Sequence, residues 1–220
     1  MARDRFEHAE LIRGYFDDRM ADYDAFYEPP SAFWRWFNHT FRKAVYLRRD
    51  EVLTLASRFD CRDVLDVGCG SGRNTVWWAC HGVAALHGVD VSGEMIDEAK
   101  VVAAAAGVAE QCTFELADFE EWSSDRKWDL VAACGVFDYV IDAEAFLRHM
   151  ARFANKVIYG SFPGWTLVRS PLRKIRYRLR GCPIHFYRRG EIRRIFNAAG
   201  FGPCAIRPIS SGYLAWAVRA

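Results

Sequence analysis

From residue 61 onward, short apolar runs alternate with stretches whose apolar residues recur at helical spacing. Residues 63–67 (DVLDV), 84–90 (AALHGVD), 112–116 (CTFEL), 128–139 and 156–161 (KVIYGS) read as five strands, the fourth running on into its loop. Residues 74–81, 93–106 and 143–154 read as the helices between them. Ser92 is placed to cap the second of these helices, whose body is rich in the strong helix former alanine. Strand–helix alternation of this kind predicts an α/β fold with a doubly wound sheet. Residues 189–199 read as a last helix closed by Gly200, and 208–218 as the final strands.

Two helical patterns precede the alternation. Residues 5–28 carry an aromatic stripe of Tyr15, Phe16, Tyr23, Phe26 and Tyr27. Phe16 and Phe26 suit a helix packed on the core. Pro29 and Pro30 break that helix, and Ser31 can cap the next. Residues 32–59 continue helically, with Arg42, Lys43, Arg48 and Arg49 read as a solvated basic face. The expected organisation is an N-terminal helical lid over 1–59 and a core over 60–220, interrupted by an insertion at 163–187.

Composition narrows the class. At 220 residues with 51% hydrophobic content, the chain can bury one sizeable core with appendages. A net charge of +2 argues neither for nor against a polyanionic partner. No apolar run is long enough for a membrane span, and the charged start lacks a signal-like apolar stretch, so a cytoplasmic protein is expected. Seven cysteines without a C-x-x-C pair fit reduced, buried thiols better than disulfides or a zinc site. The histidines lack H-x-x-x-H and H-E-x-x-H spacing, so no dedicated metal site is expected.

The chemistry concentrates in Val64-Leu65-Asp66-Val67-Gly68-Cys69-Gly70-Ser71-Gly72. An apolar strand ends in an acid, and three glycines follow at alternate positions before a helix. The spacing misses the dinucleotide pattern G-x-G-x-x-G, and no lysine follows Gly72 as a phosphate loop requires. Asp66 is a poor neighbour for pyrophosphate and a good one for an ammonium group. This stretch resembles motif I of the class I S-adenosylmethionine (SAM)-dependent methyltransferases. Gly88-Val89-Asp90-Val91-Ser92 is similar to the family's second motif.

The resemblance implies a Rossmann-like, seven-stranded mixed sheet whose last strands form an antiparallel pair at one edge. It implies SAM as cofactor and S-adenosylhomocysteine as product. On the family pattern Asp66, Gly68 and Gly70 hold the methionine end. Asp90, with Val91 beside it, accepts the ribose hydroxyls. Asp118 and Phe119 meet the adenine, and Cys134 at the end of strand four belongs to the cofactor wall, as a small apolar residue rather than a nucleophile. Tyr15 and Tyr23 resemble lid tyrosines that reach cofactor or substrate. Asp138 and Tyr139 face the substrate. His185 is either a general base for the methyl acceptor or a packing histidine.

Between Trp165 and Arg194 stand ten basic residues and one acid, Glu191. Three readings stay open for this insertion: a solvated helix face, a lid whose arginines hold an acidic small molecule, or a nucleic-acid surface. The expected function is methyl transfer from SAM to an O, N or C nucleophile of a small molecule, with acidic and aromatic acceptors as candidates. An RNA methyltransferase and a non-catalytic SAM-binding protein are the alternatives.

Overall fold

The computed structural model describes residues 43–165 and 184–219. In chain order these form α1 (Lys43–Arg58), β1 (Asp63–Val67), α2 (Arg73–Cys80), β2 (Ala85–Asp90), α3 (Gly93–Ala105), β3 (Cys112–Leu116), β4 (Trp128–Ala133), α4 (Ala143–Phe153), β5 (Ala154–Pro163), α5 (Arg189–Ala198), β6 (Ala205–Ile209) and β7 (Gly212–Val218). The seven strands make one sheet in the order β3-β2-β1-β4-β5-β7-β6. β1 to β5 pair in parallel, while β7 runs antiparallel to both β5 and β6.

The period of two along each strand sorts the apolar residues into two cores. Leu65, Val67, Val131, Ala133 and Ile158 pack with α4 and α5, around residues such as Leu147, Met150 and Phe196. Val64, Leu130, Ala132, Val157 and Tyr159 pack on the opposite face with α1 and α2. α1, the last part of the expected lid, is built into this second core through Val52 and Leu55, which are wholly buried. The same alternation puts Asp66 and Cys134 on the face that α1 and α2 cover.

Two boundaries differ from the sequence reading. α4 passes into β5 with no loop, Phe153 closing the helix and Ala154 opening the strand, so β5 is longer at both ends than the apolar run KVIYGS. β6 begins at Ala205, ahead of Pro208. A proline inside a strand is tolerated here because β6 is the sheet's edge, where its missing N–H breaks no ladder. The insertion's two ends meet: Gly164 and Tyr187 form a parallel bridge, and the Tyr187 amide donates to the Pro163 carbonyl at 2.8 Å.

The turn after β1 is laid on the end of β2. The amides of Gly68 and Cys69 both donate to the Val89 carbonyl, at 2.8 and 3.2 Å. Gly88 makes room for this. A Cβ there would stand 2.8 Å from Cys69 Sγ and 2.8 Å from Phe114 Cδ1, inside any normal contact. Gly88→Val is therefore expected to destabilise the fold by about 1–3 kcal/mol through overpacking. Thermal unfolding should show a midpoint lowered by roughly 2–12 °C; an unchanged midpoint would mean that the turn does not rest on β2.

A candidate ligand site at the carboxyl ends of β1, β2 and β4

Sheet order reverses between β1 and β4, and the segments leaving these neighbouring strands turn to opposite faces. The crevice between them is where open α/β sheets bind ligands. Its floor is the turn after β1, where Gly68, Gly70 and Gly72 have φ of 69°, 54° and 69°. Only glycine occupies that region without strain. The turn is also pressed on both sides: a Cβ at Gly68 would lie 2.5 Å from Val136 Cγ2, and one at Gly72 would lie 2.7 Å from Ala99 Cβ.

Asp90 braces this floor. Its Oδ2 accepts from the Gly70 amide at 2.8 Å and its Oδ1 from the Ser92 amide at 3.0 Å. Ser92 Oγ in turn caps α3 by accepting from the Met95 amide. Asp66 lies beneath, 1% exposed. Its Oδ2 accepts from Thr75 Oγ1 at 2.6 Å, but its Oδ1 is buried with no hydrogen-bond partner. Burial pushes the Asp66 carboxyl up to about 7; the charge of Asp90 adds to this and the Thr75 hydroxyl opposes it. A buried carboxylate oxygen with unused acceptor capacity favours a cation beside it. Ser71 Oγ and Asn74 Oδ1, on the same turn, are likewise buried without partners.

The wall past β4 begins with Cys134. Burial, and then the Asp66 charge, hold its thiol well above the ordinary range, so it stays protonated and offers no thiolate. The Gly135 amide donates to Ser161 Oγ at 2.7 Å. Asp138 is buried, and its carbonyl accepts from the His185 amide at 2.9 Å. The Tyr139 amide donates to the Val136 carbonyl at 2.9 Å. Asp138 and Tyr139 on one segment and His185, distant in sequence, on another are thus joined backbone to backbone. His149, by contrast, is a core group: its Nε2 bonds the Trp122 carbonyl at 2.9 Å, and burial lowers its pKa.

Past β3, Asp118 is exposed and its Oδ1 accepts from the Glu120 amide at 3.0 Å, closing the loop on itself. Phe119 is 6% exposed. Its ring packs against Trp122, Phe146 and Phe153, which fixes the loop from inside the core. Val91 is half-buried beside Asp90. Tyr15 and Tyr23 lie outside the described residues, as does most of the basic insertion. Among the described residues there is no group of three or more metal-ligating side chains and no helix long and apolar enough to cross a membrane.

Two residues of the site escaped the sequence reading. Thr75 follows Gly72 by three positions, so the first turn of α2 carries its hydroxyl back over β1. Arg48, read as part of a solvated face, shares the i, i+4, i+7 stripe of Val52 and Leu55 and is half-buried. That spacing was visible in the sequence.

A family model described as a methyltransferase domain matches residues 64–156. Ajmaline N-methyltransferase from Rauvolfia serpentina is 32% identical over 94 residues, 42% of this chain and 32% of that protein. Over this stretch the chain is similar to methyltransferase domains. The trans-aconitate 2-methyltransferase of Enterobacter sp. (strain 638) is 31% identical over 104 residues, 46% of this chain and 38% of that protein. The chain thus spans about a third of the length of the curated relatives it matches. In fold, the chain is similar to the magnesium protoporphyrin IX methyltransferase of Synechocystis PCC 6803 with bound SAH, with a TM-score of 0.74 and 24% identity over 96% of this chain and 99% of that one. DhpI in complex with SAM and HEP follows at a TM-score of 0.69 and 20% identity, covering 96% and 97%.

Asp66 makes the stability of the fold pH-dependent in a definite sense. Its folded pKa lies above the unfolded value, so the folded state holds a proton that the unfolded chain releases between about pH 4 and pH 7. Stability from this group is full below that window and is lost as pH rises through about 7. Ligand-free protein should therefore lose on the order of a few kcal/mol across it relative to Asp66→Asn. Denaturant midpoints of both proteins at pH 5 and pH 8 measure the difference; parallel pH profiles would show that Asp66 ionises freely.

Proposed function

We propose that this protein transfers the methyl group of SAM to an O, N or C nucleophile of a small molecule. The observation that carries the reading is the buried, unpartnered Oδ1 of Asp66 at the foot of a turn of three left-handed glycines. A ligand for this place needs a cation at one end and a slim backbone that glycines let close. The amino-acid end of SAM has both features, and a pyrophosphate has neither. The sequence relatives and the SAM- and SAH-bound neighbours support the same cofactor.

In this reading Asp66 accepts the ammonium group and Gly68 and Gly70 admit the chain beside it. Asp90 accepts the ribose hydroxyls, each of its oxygens being able to accept twice. Val91 flanks the ribose, Asp118 receives the adenine amine, Phe119 backs that loop from the core, and Cys134 lines the wall as a neutral thiol. Tyr15 and Tyr23 belong to the expected lid. SAM supplies an activated methyl group on a sulfonium, so the protein needs no acid for the leaving group. What remains for the chain is to align the acceptor and exclude water. An acceptor that arrives protonated also needs a base, and His185, with Asp138 and Tyr139 as alternates, stands on the two joined segments past β4 and the insertion.

Thermal unfolding with SAM, S-adenosylhomocysteine and NADH in parallel tests the cofactor. A ligand at 100 times its dissociation constant stabilises by about 2.7 kcal/mol, which is roughly 5–11 °C for a chain of this size. Either sulfur ligand should shift the midpoint, NADH should not, and Asp90→Ala should abolish the shift; folded protein that ignores SAM and S-adenosylhomocysteine would sink the proposal. Label transfer from methyl-labelled SAM to a panel of small carboxylic acids, phenols and amines then finds the acceptor class. With an acceptor in hand, His185→Ala should remove the acidic limb of the turnover pH profile. A profile of unchanged shape would take His185 out of the chemistry.

A further inference from the structure

The sheet has two unlike edges. β6 closes one of them with Pro208 inside the strand and Arg207 beside it. β3 forms the other and has no proline, no lysine and no break in its register with β2. An edge without such guards presents free main-chain groups to another strand. Which groups are free follows from the ladder. The Gln111 carbonyl accepts from the Leu86 amide, and the Ala117 amide donates to the Asp90 carbonyl. Bonding residues alternate along the strand, so Gln111, Thr113, Glu115 and Ala117 face β2, while Cys112, Phe114 and Leu116 turn their amides and carbonyls outward. Among the described residues no backbone group bonds these three from outside.

We propose that β3 pairs with the β3 of a second copy of this chain, antiparallel across a two-fold axis at Phe114, so that two sheets become one. In that register Phe114 meets Phe114 of the partner subunit and Cys112 meets the partner's Leu116, each pair exchanging two main-chain bonds. Thr113 and the partner's Glu115 form the close pairs between them, so no acid stands directly opposite an acid. Leu116 is 51% exposed in the single chain, and pairing lays it beside Cys112 of the partner subunit. α3 adds charge complementarity. Its Glu98 turns inward to Arg73 on α2, 3.8 Å away, so the side that carries Lys100 overhangs the edge. Leu116 lies level with the start of α3, since a Cβ at Gly93 would be 3.7 Å from Leu116 Cδ2. Phe114 is roughly 7 Å back along β3, which is about four to five residues down the helix. The axis therefore passes close to Asp97 and Lys100, two exposed residues of opposite sign, and sets Asp97 against the partner's Lys100. A closed two-fold contact needs a surface that matches itself in this way. The proposal does not depend on the methyl-transfer reading.

Light scattering behind size exclusion on the full chain should give twice the chain mass, falling towards the single mass on dilution. Leu116→Pro removes an outward amide that β2 does not use, so it should give the single mass with an unchanged circular-dichroism spectrum. A double variant, Thr113→Cys with Glu115→Cys, puts thiols at the close pairs, where Cα atoms stand about 4.5 Å apart, within a disulfide's reach. In oxidised glutathione it should become a linked dimer whose bond, by peptide mapping, joins position 113 of one chain to position 115 of the other. Neither single variant should link. A single mass at every concentration would overturn the proposal. So would a dimer that folded Leu116→Pro leaves whole, or one whose double variant links elsewhere or not at all. The double variant decides alone if Leu116→Pro does not fold.

Discussion

One carbonyl, that of Val89, accepts both amides that begin the turn after β1, and the site is built outward from that shared bond. It ties the turn to β2 at the residue before Asp90, so the carboxylate that braces Gly70 arrives in place by register alone. The arrangement tolerates nothing between the layers: Gly88 must lack a side chain for Cys69 to settle, and Gly68 must lack one for Val136 to approach. Sheet register, turn conformation and the position of the acids are therefore one constraint seen at three scales.

That constraint concentrates charge where water is excluded. The charge of Asp90 adds to the cost of ionising Asp66, and Thr75 bonds only one of the two Asp66 oxygens. Arg48 on α1 adds a buried Nε with no hydrogen-bond partner. Such a site is less stable than an apolar filling of the same volume would be. The hydrophobic cores on either side, anchored by fully buried residues such as Trp78, Leu147 and Tyr159, carry the stability that lets the site remain strained.

Much of this was legible along the chain because parallel strands announce themselves as apolar runs that end in turn residues. β1 and β3 were read to the residue, and the glycines and acids at strand ends pointed to the crevice. What the pattern hid was decided by neighbours distant in sequence. Pro208 reads as the start of the last strands, whereas β6 begins three residues earlier and carries the proline inside it because it is the edge. Phe119 reads as a wall for a ligand until the rings of Trp122, Phe146 and Phe153 close around it. Arg48 reads as one of a basic cluster, although its spacing to Val52 and Leu55 put it on the buried stripe.

The bridge between Gly164 and Tyr187 has a consequence for descent. Entry and exit of the insertion are held side by side, so the sheet does not depend on how many residues separate them. Doubling the insertion's length would add only about 0.6 kcal/mol of closure entropy. Neither β5 nor α5 would have to shift to accommodate the change. Segments of different length and charge can thus be exchanged at this doorway over evolutionary time while the sheet stays as it is.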